Sequence, residues 1–114
     1  MELTGKCKEE FEKWYFKKYC TASVTYEELL PHQQEDVFGW FFNLLPPFKY
    51  GVFVDFFDSV GIEITIVKSI ANAIGTKWGW HSNVNGKNFT KTYDTRPEAR
   101  AKAIEKANDL FNKR

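Results

Sequence analysis

Asp55 and Asp58 stand three residues apart, with Glu63 a short way beyond. A carboxylate pair at that spacing on a helix can hold a cation or share a proton. Phenylalanines recur on the opposite side of the same helical period, so the two aspartates also read as the wet face of an amphipathic helix. His81 offers a general base, but that chemistry needs a nucleophile and an orienting acid, and no such trio accompanies it or His32. Cys7 and Cys20 match no zinc spacing, and on one helix they would lie about 20 Å apart, too far for a disulfide. No phosphate loop, nucleophile elbow or dinucleotide fingerprint occurs. These residues point away from an enzyme and imply no metal and no cofactor.

Two other groupings carry more weight. The first is aromatic: 18% of the 114 residues are Phe, Tyr or Trp. Fifteen of them lie in residues 1–61, and segment 38–48 holds more apolar mass than one helix face can bury. Phe38, Trp40, Phe41, Phe42 and Phe48 are therefore candidate partner-binding residues, because aromatic side chains dominate interface hot spots. The second is charge. Residues 1–61 carry six Lys/Arg and ten Asp/Glu, whereas residues 62–114 carry ten and five, so a formal net charge of +1 conceals an acidic half and a basic half. Lys77, Lys87, Lys91, Arg96, Arg100 and Lys102 are the candidate nucleic-acid-binding residues of the basic half.

The elements that must position these residues follow from periodicity. The length implies one domain, residues 1–114, and 43% hydrophobic with 27% charged residues excludes a disordered tail or a collagen-like repeat. Residues 6–19 read as an amphipathic helix with Cys7, Phe11, Trp14, Tyr15 and Tyr19 on its apolar side. A second helical stretch spans 26–44, opened by a capping box at Thr25-x-x-Glu28 and split by Pro31. Pro46-Pro47 stops it and starts a third helix, which Gly61 ends in the left-handed conformation. Residues 62–67 then alternate as a strand, and segment 69–75 reads as a loop or one helical turn.

Asn85-Gly86 is a type I′ hairpin turn. Counting back from it pairs Val84 with Lys87, Asn83 with Asn88, Ser82 with Phe89, His81 with Thr90, Trp80 with Lys91 and Trp78 with Tyr93. That register keeps one face aromatic and one polar. Thr95-x-x-Glu98 with Pro97 opens a last helix that buries Ala99, Ala103, Ala107, Leu110 and Phe111. The expected fold is α+β: three N-terminal helices, a three-stranded antiparallel sheet and a C-terminal helix, with the helices on one sheet face.

Residues 1–15 lack an apolar stretch of the signal-peptide kind, and 38–57 is broken by Asn43, Pro46, Pro47, Lys49 and Asp55. With two free thiols, this leads to a cytosolic expectation and no membrane contact.

In order of elements, the second half resembles a double-stranded RNA-binding domain, with Arg96, Arg100 and Lys102 a partial match to that family's basic cluster and no recognisable counterpart of its loop in 69–75. The Tyr-x-Thr-Arg-x-Glu-Ala run also resembles sheet-based DNA-binding arms of integrases. A closer resemblance rests on Phe53-Val54-Asp55-Phe56-Phe57-Asp58-Ser59-Val60-Gly61-Ile62, on Tyr93-Asp94-Thr95-Arg96-Pro97-Glu98-Ala99-Arg100 and on Ala103-Ile104-Glu105-Lys106-Ala107-Asn108. Over residues 42–112 these are similar to small proteins encoded by bacteriophages and prophages of gut bacteria. That resemblance implies a mobile-element accessory protein in a bacterial cytosol, and it carries no activity from which functional residues follow. The expected function is non-enzymatic protein–protein interaction, either with a host or phage protein, such as one in host defence or regulation, or with a second copy of the chain. The alternative is a nucleic-acid-binding module built on the basic hairpin and last helix.

Overall fold

A computed structural model of the chain describes residues 2–20, 24–70, 78–88 and 92–114. For Val37, Phe38, Trp40, Phe42, Ser69, Ile70, Trp78 and Asn88 it describes the backbone element alone. The architecture is α+β. Helix α1 (Gly5–Tyr19) leads through a 3-10 turn (Tyr26–Glu28) into α2 (Pro31–Phe42) and α3 (Pro46–Ser59). Strands β1 (Ile64–Ile70), β2 (Trp78–Val84) and the two-residue β3 (Lys87–Asn88) follow, and α4 (Arg96–Asn112) closes the chain. The sheet order is β1-β2-β3, antiparallel throughout. Helix α4 packs across β1 and β2, and α3 reaches β1.

The core is an aromatic cluster centred on Phe11. Its ring lies within 5.9 Å, centroid to centroid, of Trp14, Tyr15, Phe41, Phe53 and Phe56. Tilted and edge-on geometry dominates, as the ring quadrupole favours. Phe57, Ile62, Ile104 and Val84 extend the cluster to the sheet and α4. Helix α1 buries a wider face than the period predicts. Phe16 joins the core because Tyr26, folded back by the 3-10 turn, covers it with ring centroids 5.9 Å apart. Tyr19, expected inside, is 47% exposed at the last residue of α1, where its ring lies against Trp14 and Tyr15.

Local signals account for most boundaries. Gly61 has φ +80° and completes a Schellman motif: Ile62 N–H donates to Phe57 C=O at 2.8 Å and Gly61 N–H to Asp58 C=O at 3.2 Å. Ile62 and Phe57 are both fully buried, the apolar contact that accompanies such a cap. Asn85 and Gly86 both have positive φ, as a type I′ turn requires. Asn85 also clamps the turn onto β1, its Oδ1 accepting from Glu63 N–H at 2.7 Å and its own N–H donating to Glu63 C=O at 2.8 Å.

Several expectations are corrected. Thr25 makes no side-chain cap; instead Gln33 Oε1 accepts from Leu30 N–H at 2.9 Å, because the helix proper starts at Pro31. At Thr95 the hydroxyl accepts from Glu98 N–H at 3.4 Å and donates to Glu98 Oε1 at 2.8 Å, so the reciprocal bond runs side chain to side chain. The first strand is Ile64–Ile70, two residues later than read, because the Schellman cap occupies Gly61 and Ile62. Leu110 is 40% exposed, because the buried face of α4 runs through Ala103, Ala107 and Phe111 and leaves Leu110 at its edge.

The hairpin register also changes. Val84↔Lys87 and Asn83↔Asn88 pair as counted from the turn, but Tyr93 pairs with Trp80 rather than Trp78. Trp80 and Tyr93 exchange backbone bonds of 2.8 and 2.7 Å. The returning chain therefore carries two more residues than β2 between these pairs. An offset of two preserves which side chains face the core, so alternation could not reveal it. The pairings expected of Lys77, Phe89, Thr90 and Lys91, and the segment 71–77, lie outside the described residues.

Candidate functional site

The two ends of the chain are locked together by α4. Asn108 Oδ1 accepts from Thr4 N–H at 2.9 Å and its Nδ2 donates to Thr4 Oγ1 at 3.0 Å. Asn112 Oδ1 accepts from Cys7 N–H at 2.8 Å and its Nδ2 donates to Thr4 C=O at 2.9 Å. The first turn of α1 thus finds acceptors on another helix in place of a side-chain cap of its own. Gly5, at φ +58°, sits against Asn112, where an added Cβ would come 3.3 Å from its Oδ1. Cys7, beneath this lock, is wholly buried, and loss of solvation pushes its thiol up to about 12. It is a core residue rather than a nucleophile. Burial raises the Cys20 thiol as well.

The carboxylates expected on the wet face of α3 are there: Asp55 and Asp58 are both exposed, away from Phe53, Phe56 and Phe57. Among the described residues, no group of three or more His, Cys, Asp and Glu is placed to hold a metal ion. His81 is half-buried on β2 and His32 exposed at the start of α2. A 480 Å³ cleft opens between α1 and α2, lined by Lys8, Glu12, Tyr26, Pro31, Gln34, Glu35 and Gly39. Tyr26 donates its hydroxyl to Glu12 there, and burial with that carboxylate holds the phenol above its usual range. This pair fastens the 3-10 turn to α1, and Lys13 adds an ion pair to Glu27 at 3.3 Å.

The candidate partner-binding residues separate. Phe41 is 2% exposed and packs edge-on against Phe11, Tyr15 and Phe53, so it belongs to the core and leaves the interface set. Among the described side chains of α2 it alone is buried, and Gln34 adds a bond from its Nε2 to Tyr26 C=O at 3.1 Å. Phe48 is 63% exposed, as is Leu45 on the other side of Pro46-Pro47. The side chains of Phe38, Trp40 and Phe42 lie outside the described residues. Leu45 is not among the sequence candidates because at i+4 from Phe41 it reads as part of the apolar side of the second helix, whereas α2 ends at Phe42 and leaves Leu45 in the corner before α3.

The basic candidates separate too. Arg96 and Arg100 lie one turn apart on α4, Arg96 stacked over Trp80 at 4.4 Å and Arg100 over Tyr50 at 4.9 Å. Lys68, cross-strand from Trp80, joins them with its Nζ 5.4 Å from the same ring. Lys102 is instead engaged by both oxygens of Glu105 at 3.2 Å, and Lys87 is exposed at the turn. Lys77 and Lys91 lie outside the described residues. The arginines border a 320 Å³ cleft floored by Tyr50, Val54, Ile64, Ile66 and Trp80. Tyr50, Trp80 and Lys68 were not among the sequence candidates, although the aromatic parity of β2 and the basic residues of α4 are its visible parts.

No helix is long and apolar enough to cross a membrane among the described residues. Set against protein-family models, curated proteins and solved structures, the chain matches none.

Proposed function

We propose that the chain is a non-enzymatic accessory protein that acts by binding another protein through the corner between α2 and α3. The observation that carries this reading is the pair Leu45 and Phe48, each 63% exposed around Pro46-Pro47. Burying a side chain of this kind is worth roughly 1.5–3 kcal/mol, which the free chain forgoes twice at one spot. Both prolines stand in the first turn of α3 and fix φ there, so this side of the corner has little conformational freedom to lose on association. The resemblance of residues 42–112 to phage- and prophage-encoded proteins supports an accessory role in a bacterial cytosol, with a host or phage protein, or a second copy, as the partner. β3 and the Trp80–Tyr93 bridge support reading the sheet as three-stranded beneath three N-terminal helices.

The test compares the wild-type chain with Leu45→Ser/Phe48→Ser in the bacterial host. Affinity capture should recover a defined protein with the wild type and lose it with the variant, or light scattering should show self-association that the variant abolishes. Melting temperatures should differ by no more than a few degrees. Identical capture and mass for both chains would overturn the reading.

A further inference from the structure

The core face of the sheet changes character along its length. Ile64 faces Val84 at the buried end, Ile66 faces Ser82 in the middle, and Lys68 faces Trp80 at the far end. There α4 arrives with Arg96, and α3 contributes Tyr50 beneath Arg100. Among the described residues none of these three cations has a carboxylate partner, whereas Lys8, Lys13 and Lys102 are each paired. Two guanidiniums at an i, i+4 spacing repel one another by a few tenths of a kcal/mol, and only their rings hold them there. Stacking matters here. A guanidinium lying on a ring uses one face, while its in-plane N–H groups remain free to donate, and those edges fit phosphate bidentately.

We infer that the cleft lined by Tyr50, Ile66, Trp80, Arg96 and Arg100, with Lys68 beside it over the Trp80 ring, binds single-stranded nucleic acid. A volume of 320 Å³ suits one planar base, with an apolar floor of Val54, Ile64 and Ile66. The outer face of a ring-stacked guanidinium is itself a platform on which a base can stack. Phosphates flanking that base then meet the edges of Arg96 and Arg100 and the ammonium of Lys68. An aromatic platform combined with a short cationic track is how sequence-tolerant single-strand sites are built. A duplex keeps its bases paired and presents none to a concave site of this size.

The test is fluorescence anisotropy of a labelled oligothymidylate about ten nucleotides long, with the full chain. With two or three phosphates neutralised, affinity should fall about tenfold between roughly 50 and 200 mM salt. Arg96→Gln/Arg100→Gln should weaken binding by about tenfold or more, and Lys87→Gln should leave it unchanged. Arg100→Lys, which keeps the charge and loses the fork, should fall between the wild type and the double variant. No binding at low salt would overturn the inference. So would equal affinity in the double variant, or competition by duplex DNA or polyglutamate as strong as by the unlabelled single strand. Because Leu45→Ser/Phe48→Ser leaves this cleft intact, it should bind the oligonucleotide normally, which separates this site from the proposed protein interface.

Discussion

Phe11 on α1 and Trp80 on β2 are covered in different ways. Phe11 is 1% exposed and packs, among the described residues, against five other rings from α1, α2 and α3. Trp80 is half-buried and covered by a guanidinium and an ammonium. Ring against ring removes both partners from water and converts aromatic area into stability. Ring against guanidinium covers apolar area too, but leaves charge and donors pointing outward. The same residue class therefore builds the core in one region and supports a charged, donor-bearing surface in the other.

The sharpest way to break this contrast is to remove a ring from each region. Phe11→Ala should cost about 3–5 kcal/mol, the usual range for a buried phenylalanine whose cavity cannot collapse. Phe48→Ala should cost less than about 0.5 kcal/mol. Urea denaturation of both variants measures the difference. Comparable losses would mean that the corner is core and would remove the proposed interface.

Asn108→Ala comes next. It deprives Thr4 of two bonds in a half-enclosed setting and should cost about 1–3 kcal/mol. Hydrogen exchange of the amides at the start of α1 should rise with it. No loss of stability would show that the Asn108–Thr4 bonds do not hold the chain ends together.

How far these features are legible in the sequence depends on how local their causes are. The Phe53, Phe56 and Phe57 face, the Gly61 cap and the Asn85-Gly86 turn are set by neighbours within a few residues, and their types disclose them. The lock of Asn108 and Asn112 on Thr4 and Cys7 spans more than a hundred residues, and no spacing betrays it. The move of Tyr93 from Trp78 to Trp80 is hidden for another reason, since a two-residue offset leaves every side chain on its own face. Of the candidate site, Arg96 and Arg100 were visible as charge. Their stacking on Trp80 and Tyr50 needed three elements to meet, and Phe41 could be told from Phe48 only by tertiary packing.

Alkaline pH offers a probe of the dry region through Cys7. The Cys7 thiol ionises near 9 when unfolded and is held neutral up to about 12 by burial. The unfolded state therefore loses its proton first. Stability is fully present below pH 9 and declines as pH rises from there toward 12. Tyr26, also raised by burial, steepens the decline at its upper end. Cys7→Ala should flatten the slope between pH 9 and 11 in denaturant titrations. An unchanged slope would mean that the thiol titrates in the folded protein.

Ser82→Ala probes the middle of the same face. Ser82 is 1% exposed, and among the described residues its hydroxyl has no hydrogen-bond partner. Ala99 and Ala103 on the helix packed over β2 are wholly buried, so the small side chain fits a close helix–sheet approach. Removing a desolvated, unsatisfied hydroxyl should leave stability unchanged or raise it by up to about 1 kcal/mol. A loss above that size would show that the hydroxyl is bonded in solution.

The smallest effect is expected where the aromatic and cationic regions differ most. Arg96→Ala forfeits a cation–π contact worth about 0.5–1 kcal/mol, since one side of the guanidinium stays in water. It also relieves the like-charge pair with Arg100, which returns about 0.2–0.5 kcal/mol. The terms oppose, and the net change in urea midpoint should correspond to less than about 0.5 kcal/mol. Added salt should shrink the repulsive part and make the variant relatively less stable, a sign opposite to that for a broken ion pair. If Arg96→Ala were instead as costly as Asn108→Ala, the guanidinium would be a structural cover for Trp80. Its edges would then be fixed by the fold rather than left for a ligand.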